Sequence, residues 1–346
     1  MKNLPKNCKV ALIELYPYHS ELIYSQLLFL NKSKLYPLLI CDIKNKIEKD
    51  LLEDISEIKL YDFSKLSSLF KLWYFIHKNK IRYLIINTAQ GSRTLKLMLF
   101  PFSKKIKIAG IVHNTSKLKK SFGQKVIVKK IKRIYVLASY IKYHFPKQTK
   151  LQFEYINCSY IPPNINKTVM KSKDEIWIGV PGSIEYKRRD YSFLLELTRH
   201  PLFPQNIKII LLGNALRFDG PKFISDIKKY SQESKFIFFD SYVPNLEFQN
   251  YMENIDYLLP LIHPKMILAK DYLKYKVSGT FIQSNSYSKP MLCHSMFNNK
   301  EFKYSALFYT NKNDLINTLK TNELNINIQS NDFEKDRVAY MSLLEN

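Results

Sequence analysis

A chain of 346 residues with 46% apolar and 24% charged side chains holds enough apolar surface for two cores, which excludes a disordered polymer or one small domain. Cys8, Cys41, Cys158 and Cys293 stand far apart with no CxxC pair, so a disulfide framework and a zinc site are both disfavoured and a reducing compartment is expected. No apolar run approaches the ~18 residues of a spanning helix and no cleavable leader is evident, so the formal net charge of +24 belongs to an expected soluble, cytoplasmic protein.

Along the first half, short apolar runs alternate with amphipathic segments. Strands are predicted at 9–15, 36–41, 82–87, 107–113 and 133–137, with helices between them, as over 21–30 and 66–77. Between Phe63 and Phe153 there is no Asp or Glu, against 21 Lys or Arg. Such a field attracts polyanions: nucleic acid, anionic lipid or nucleotide phosphate. Within it, residues 117–134 read KLKKSFGQKVIVKKIKRI. Leu118, Phe122, Ile127, Ile131 and Ile134 recur at helical spacing among Lys117, Lys119, Lys120, Lys125, Lys129, Lys130, Lys132 and Arg133. One basic amphipathic helix is predicted there, its apolar face on the sheet and its cationic face suited to an anionic membrane surface.

At 160–173 the texture changes to a Pro-rich segment that fits neither helix nor central strand, and the domain boundary is placed there. A second alternating series follows. Its strands are predicted at 175–180, 207–212, 235–239, 256–259 and 290–293, and its helices at 191–199, 221–231, 246–252, 278–287 and 312–320. The domains expected are 1–165, 174–330 and a C-terminal helix over 331–346 able to pack back on the first domain. Strands alternating with helices imply an α/β chain of two doubly wound parallel sheets, and such sheets place ligands at their strand C-termini.

The order of motifs in the second half resembles the donor domain of GT-B glycosyltransferases, especially the family-4-like bacterial polysaccharide group. Residues 178–190 (IGVPGSIEYKRRD), 209–214 (IILLGN), 236–260 (FIFFDSYVPNLEFQNYMENIDYLLP) and 276–290 (KVSGTFIQSNSYSKP) carry the likeness there. In the first half, 107–114, ending in His-Asn, and 134–145 (IYVLASYIKYHF) resemble the acceptor domain. The resemblance implies a GT-B fold, two Rossmann-like domains facing a cleft. It also implies a hexosyltransferase-class enzyme of bacterial surface polysaccharide synthesis (capsule, lipopolysaccharide or exopolysaccharide). A UDP-sugar is the expected donor, held as substrate, with no cofactor and no metal. A saccharide or lipid-linked acceptor is expected at the inner face of the cell membrane.

The residues agree with that implication. Gly182 and Ser183 open a turn after a strand, where glycine lets backbone approach an anion closely. Lys187, Arg188 and Arg189 follow with charge-assisted donors for a diphosphate. Ser278, Gly279 and Thr280 begin a helix whose positive end is an anion site, and Lys276 stands just before it. In the first domain His19 and Glu14 are the candidate catalytic bases, because both fall near the end of the first strand and either could take a proton from a sugar hydroxyl. His113, Asn114 and Tyr272 are the candidate sugar or acceptor contacts.

The chain departs from the family at one point. Retaining family-4 enzymes carry Glu-x7-Glu at the phosphate helix, and the equivalent positions here are Tyr275 and Gln283. Stereochemistry is therefore left open, and a non-catalytic GT-B-like binding or partner subunit remains a rival reading. A basic nucleic-acid-binding protein is the other rival, on the strength of 24 Tyr and 22 Phe beside the cations. No helix-turn-helix, RNP or zinc signature supports it, and no nucleic-acid partner is expected.

Overall fold

The structure is a computed structural model of the whole chain, and it describes residues 8–47, 49, 52–144, 151–164, 168–299, 302–321 and 331–345. Contacts divide the chain into two units. The first is Met1–Pro162 with Lys274–Val277 and Asn331–Asn346, and the second is Pro163–Leu273 with Ser278–Ser330.

The first unit runs β1 (Lys9–Glu14), α1 (Ile23–Lys32), β2 (Tyr36–Asp42), β3 (Glu57–Tyr61), α2 (Leu66–Lys78), β4 (Tyr83–Ile86), α3 (Gly91–Leu99), β5 (Lys107–Ile111), α4 (Lys117–Lys120), α5 (Phe122–Ile131), β6 (Arg133–Val136), α6 (Ser139–Tyr143) and β7 (Gln152–Tyr155). The seven strands form one parallel sheet in the order β3-β2-β1-β4-β5-β6-β7. Helices cover both faces of a parallel sheet, so its central strands are near-continuous apolar runs. In β1 only Lys9 is exposed. Ile13, Ile40, Ile86 and Val136 extend that core through the helix residues Leu72, Leu97 and Ile131.

The second unit runs β8 (Ile176–Pro181), α7 (Tyr191–Thr198), β9 (Ile207–Asn214), α8 (Gly220–Lys229), β10 (Phe236–Phe239), α9 (Asn245–Asn254), β11 (Tyr257–Leu258), α10 (Ala269–Lys274), α11 (Gly279–Tyr287), β12 (Met291–His294), β13 (Ala306–Tyr309) and α12 (Lys312–Lys320). Its six strands are also parallel, ordered β10-β9-β8-β11-β12-β13. Ile178, Leu194, Ile209, Phe223 and Leu315 lie in its core. The last helix, α13 (Phe333–Glu345), packs in the first unit. There Tyr340 stacks on Tyr135 with centroids 5.2 Å apart, and Asp336 accepts from Asn157 Nδ2 at 2.9 Å and Tyr160 OH at 2.8 Å.

The predicted basic helix over 117–134 is corrected. Ser121 is extended and its Oγ accepts from Gln124 N at 3.3 Å, so it caps a new helix and splits the segment into α4 and α5. Lys132 then turns left-handed (φ 60°) and Arg133 starts β6. The buried face of α5 is Gln124, Ile127, Val128 and Ile131, whereas Phe122 is 83% exposed. The side chains of Lys119 and Lys120 lie outside the described residues, as do Phe145 and 165–167 of the Pro-rich connector. The strands β3, β7 and β13 and the short helices α6 and α10 had no counterpart among the predicted elements, and α3 falls between two predicted strands where a helix was expected without bounds.

Candidate functional site

In each unit the strand order reverses beside the first strand, and open parallel sheets bind ligands beyond the strand C-termini at that point. In the first unit the switch lies between β1 and β4. Glu14 ends β1 with no exposed surface. Its Oε1 accepts from Tyr16 N at 2.8 Å, and its Oε2 accepts from Asn87 Nδ2 at 2.7 Å and Thr88 Oγ1 at 2.6 Å. Burial pushes its carboxyl up to about 7, against the pull of those donors. Asn87 also donates to the His19 carbonyl at 2.9 Å and accepts from Gln26 Nε2 at 2.6 Å. Gln26 in turn accepts from Tyr340 OH at 3.1 Å, so α13 is hydrogen-bonded into this network. Glu14 thus holds the loops after β1 and β4 together, deep under the surface.

His19 sits above it, partly exposed, in a left-handed backbone conformation (φ 64°). Its Nδ1 lies 3.2 Å from Glu21 Oε1, and its ring stacks on His113 with centroids 3.8 Å apart at 17°. Burial pushes the Glu21 carboxyl up, but the hydrogen bond and charge of His19 outweigh it and the net shift is down. His113 Nε2 donates to Asn87 O at 2.8 Å. Burial, and then the charge of His19, lower the His113 imidazole to about 3, so the ring is neutral near neutrality. Asn114 is used locally. Its Oδ1 accepts from Ser116 N at 3.0 Å and Ser116 Oγ at 2.8 Å, while Gln90 Oε1 accepts from both the His113 and Asn114 amides. His19, His113 and Glu14 are thereby one cluster. Gln90, Asn87 and Glu21 complete it, although nothing in their local sequence marks them.

In the second unit β8 ends at Pro181 and the chain turns at Gly182, whose φ of 98° suits glycine. Gly213, near the end of neighbouring β9, stands so close that an added Cβ would lie 2.2 Å from the Gly182 carbonyl oxygen. The cations after this turn divide their roles. Lys187 and Arg188, each more than half exposed, pair with buried Glu185 Oε2 at 3.0 and 3.3 Å. Arg189 folds back instead. Its guanidinium donates to the Pro181 and Ser183 carbonyls and reaches Thr280 Oγ1 at 3.3 Å, while its buried Nε makes no hydrogen bond. Ser278 is the extended N-cap residue of α11 and makes no side-chain capping bond. Gly279 faces open space, and a Cβ placed on it would meet nothing within 4 Å. Tyr272 is buried on α10, and burial raises its phenol. Lys276 belongs to the first unit, where its carbonyl accepts from Tyr140 OH at 2.9 Å.

The sequence reading missed a further network at the same end of the second sheet. Asp190 Oδ1 caps α7 by accepting from Phe193 N at 2.9 Å, and its Oδ2 lies 2.9 Å from His263 Nδ1. His263 Nε2 lies 2.8 Å from Tyr309 OH. Asp190 directly follows Arg189, so this chain, buried at His263 and Tyr309, anchors the basic turn to β13 and to the loop after β11. An Asp before an apolar helix start is a cap signal, but its partners 73 and 46 residues apart leave no local trace.

No family model and no curated sequence matches the chain. Among solved structures it is similar to Anabaena Alr3699/HepE in complex with UDP-glucose, at 13% identity over 97% of this chain and 96% of that one, with a TM-score of 0.60. It is also similar to a glycosyltransferase from Rickettsia africae (13% identity, 98% and 94% covered, TM-score 0.55). A UDP-N-acetylglucosamine 2-epimerase matches equally broadly (10% identity, 98% and 96% covered, TM-score 0.59). At these identities the likeness is one of fold. The chain has the GT-B fold, an α/β architecture of two Rossmann-like doubly wound parallel-sheet units.

Proposed function

We propose that the protein is a glycosyltransferase that moves a sugar from a nucleotide-sugar donor, a UDP-sugar, to a saccharide or lipid-linked acceptor in bacterial surface polysaccharide synthesis. One observation carries the reading. Arg189 links the positive-φ turn at Gly182 to Thr280 at the start of α11, so a guanidinium, a glycine turn and a helix N-terminus converge at the strand C-termini of the second unit. Each favours a diphosphate, through charge-assisted bonds, close backbone approach and unpaired helical N–H groups respectively. Lys187 and Arg188, partly neutralised by Glu185, add a more distant positive field. Ser278 and Gly279 present the helix end.

In the first unit His19 is the proposed base. With Nδ1–H directed at the Glu21 carboxylate, the imidazole carries its lone pair on Nε2, where it can take the acceptor hydroxyl proton. Glu14, buried and hydrogen-bonded three times, supports the loop that carries His19. His113, Asn114 and Tyr272 are proposed as sugar or acceptor contacts. The acid-free stretch supports a peripheral location on the inner face of an anionic membrane. No helix among the described residues is long and apolar enough to cross one.

Thermal-shift measurements with UDP, GDP, CMP and dTDP, followed by product analysis with a labelled UDP-sugar, test the proposal. A uridine-specific shift lost in Arg189→Lys, together with label transferred to an acceptor, is expected. A shift without turnover would establish a binding subunit, and label recovered only as an epimerised sugar would overturn transfer.

A further inference from the structure

Helix α2 carries two apolar faces where a surface helix needs one. Ser68, Leu69, Leu72 and Ile76 are buried against the sheet. Leu66, Phe70, Trp73, Tyr74 and His77, spaced four, three, one and three residues apart, form a second stripe beside the first. Leu66, Phe70 and Tyr74 are each more than half exposed, as is Leu99 at the end of α3. The stripe continues across the following loop. Trp73 stacks on Phe100 with centroids 6.0 Å apart and donates Nε1 to Pro101 O at 3.1 Å, and His77 stacks on Phe102 at 5.9 Å. Exposed Lys71 and Lys78 border it on the helix, and exposed Lys104 and Lys105 border it on the loop. The nearest acids in sequence, Glu57 and Asp62, are paired with Lys59 and Lys65.

We infer that this aromatic face, more than the basic α4–α5 segment, is the surface that enters an anionic lipid interface; the inference rests on the membrane-surface reading given above. Aromatic side chains with polar tips favour the headgroup boundary, and flanking lysines meet the anionic phosphates while their stems cover apolar surface. A second copy of the chain fits poorly. Twofold pairing would press Lys71, Lys78, Lys104 and Lys105 of both copies together, with no Asp or Glu from Phe63 to Phe153 to offset them. Nucleic-acid stacking also fits less well, because the Trp73 and Phe100 rings already stack on each other.

The chain supplies its own probe. It has two tryptophans, and Trp177 is 3% exposed, so a vesicle-induced change in emission reports Trp73. Full-length protein is mixed with vesicles of phosphatidylglycerol and phosphatidylcholine, with and without brominated acyl chains, at low salt. A blue shift and quenching by the brominated lipid are expected. Phe70→Ser with Tyr74→Ser should weaken partitioning about tenfold or more, and Lys71→Glu or Lys105→Glu about fivefold each. Binding with Trp73 unchanged and the aromatic double variant intact would overturn this face yet leave membrane association standing. No binding at all would remove both. Trp73 changing with an oligonucleotide but not with vesicles, or with protein concentration alone, would assign the face to nucleic acid or to self-association instead.

Discussion

The imidazoles of His19 and His113 lie face to face, 3.8 Å between centroids, and they differ in what holds them. His113 is fixed by a 2.8 Å bond to Asn87 O and kept neutral, whereas His19 is partly exposed and directed by Glu21. One ring of the pair is thus fixed and neutral, and the other is the one proposed as the base.

Stability on the acid side follows from the neutral ring. The His113 imidazole is depressed in the fold to about 3 from an ordinary 6.5. The unfolded chain therefore binds a proton between those values that the folded chain refuses. Its contribution is intact above pH 6.5 and falls as pH drops towards 3, by at most about 1.4 kcal/mol per pH unit. Urea unfolding of His113→Gln against the parent, run from neutrality down to about pH 4, should show the variant losing less on acidification.

Glu14 works in the opposite sense. Its carboxyl is raised from 4.5 to about 7 by burial, so its contribution is fully present below pH 4.5 and is lost as pH rises through about 7. Glu14→Gln cannot ionise and turns an amide N–H towards donors that expect an acceptor. A loss of about 1–3 kcal/mol is expected below pH 4.5, shrinking as pH rises from 4.5 to about 7 and levelling off above it. The same unfolding series reads it, and a gap constant with pH would show that Glu14 does not titrate in this range.

For transfer, His19→Ala should lower kcat by about a hundredfold or more, the range for loss of a general base. Glu21→Gln keeps a polar partner for Nδ1 but removes the charge. About a tenfold loss in kcat is expected, with KM for the donor unchanged and the pH–rate profile displaced. Equal rates for both variants and the parent would remove the pair from the chemistry.

The two glycines of the proposed donor side should respond in contrary ways. Gly213→Ala drives a methyl against the Gly182 backbone, so the turn must move. A loss of about 1–3 kcal/mol in stability and a weaker nucleotide-induced thermal shift are expected. Gly279→Ala meets open space at the first position of α11 and should leave stability within about 0.5 kcal/mol. A reversal of that order would contradict the proposed turn geometry.

Most of the sheet strands were legible because their faces are both buried: β1, β4 and β9 read as apolar runs whatever else surrounds them. Strand β3 (EIKLY) escaped because it lies at the sheet edge with only partial burial along its length, which leaves a weak pattern. The break at Ser121 escaped because Ser is also tolerated inside a helix, and only the packing of Gln124 and Ile127 decides that it is a cap. At the proposed donor site Gly182 and the cations after it were visible locally. That Arg189, and not Lys187 or Arg188, turns inwards depends on Glu185 drawing the other two aside. Around His19 the sequence singled out the two histidines and Glu14 one by one, and the fold brings them together. The bonds that join Gln26 to Asn87 and to Tyr340 span 61 and 314 residues of chain, and they arise only when the strands and the last helix are folded together. Alternation of apolar and polar residues is a local property and determines elements; hydrogen-bond partners are chosen by tertiary proximity, and that only the folded chain decides.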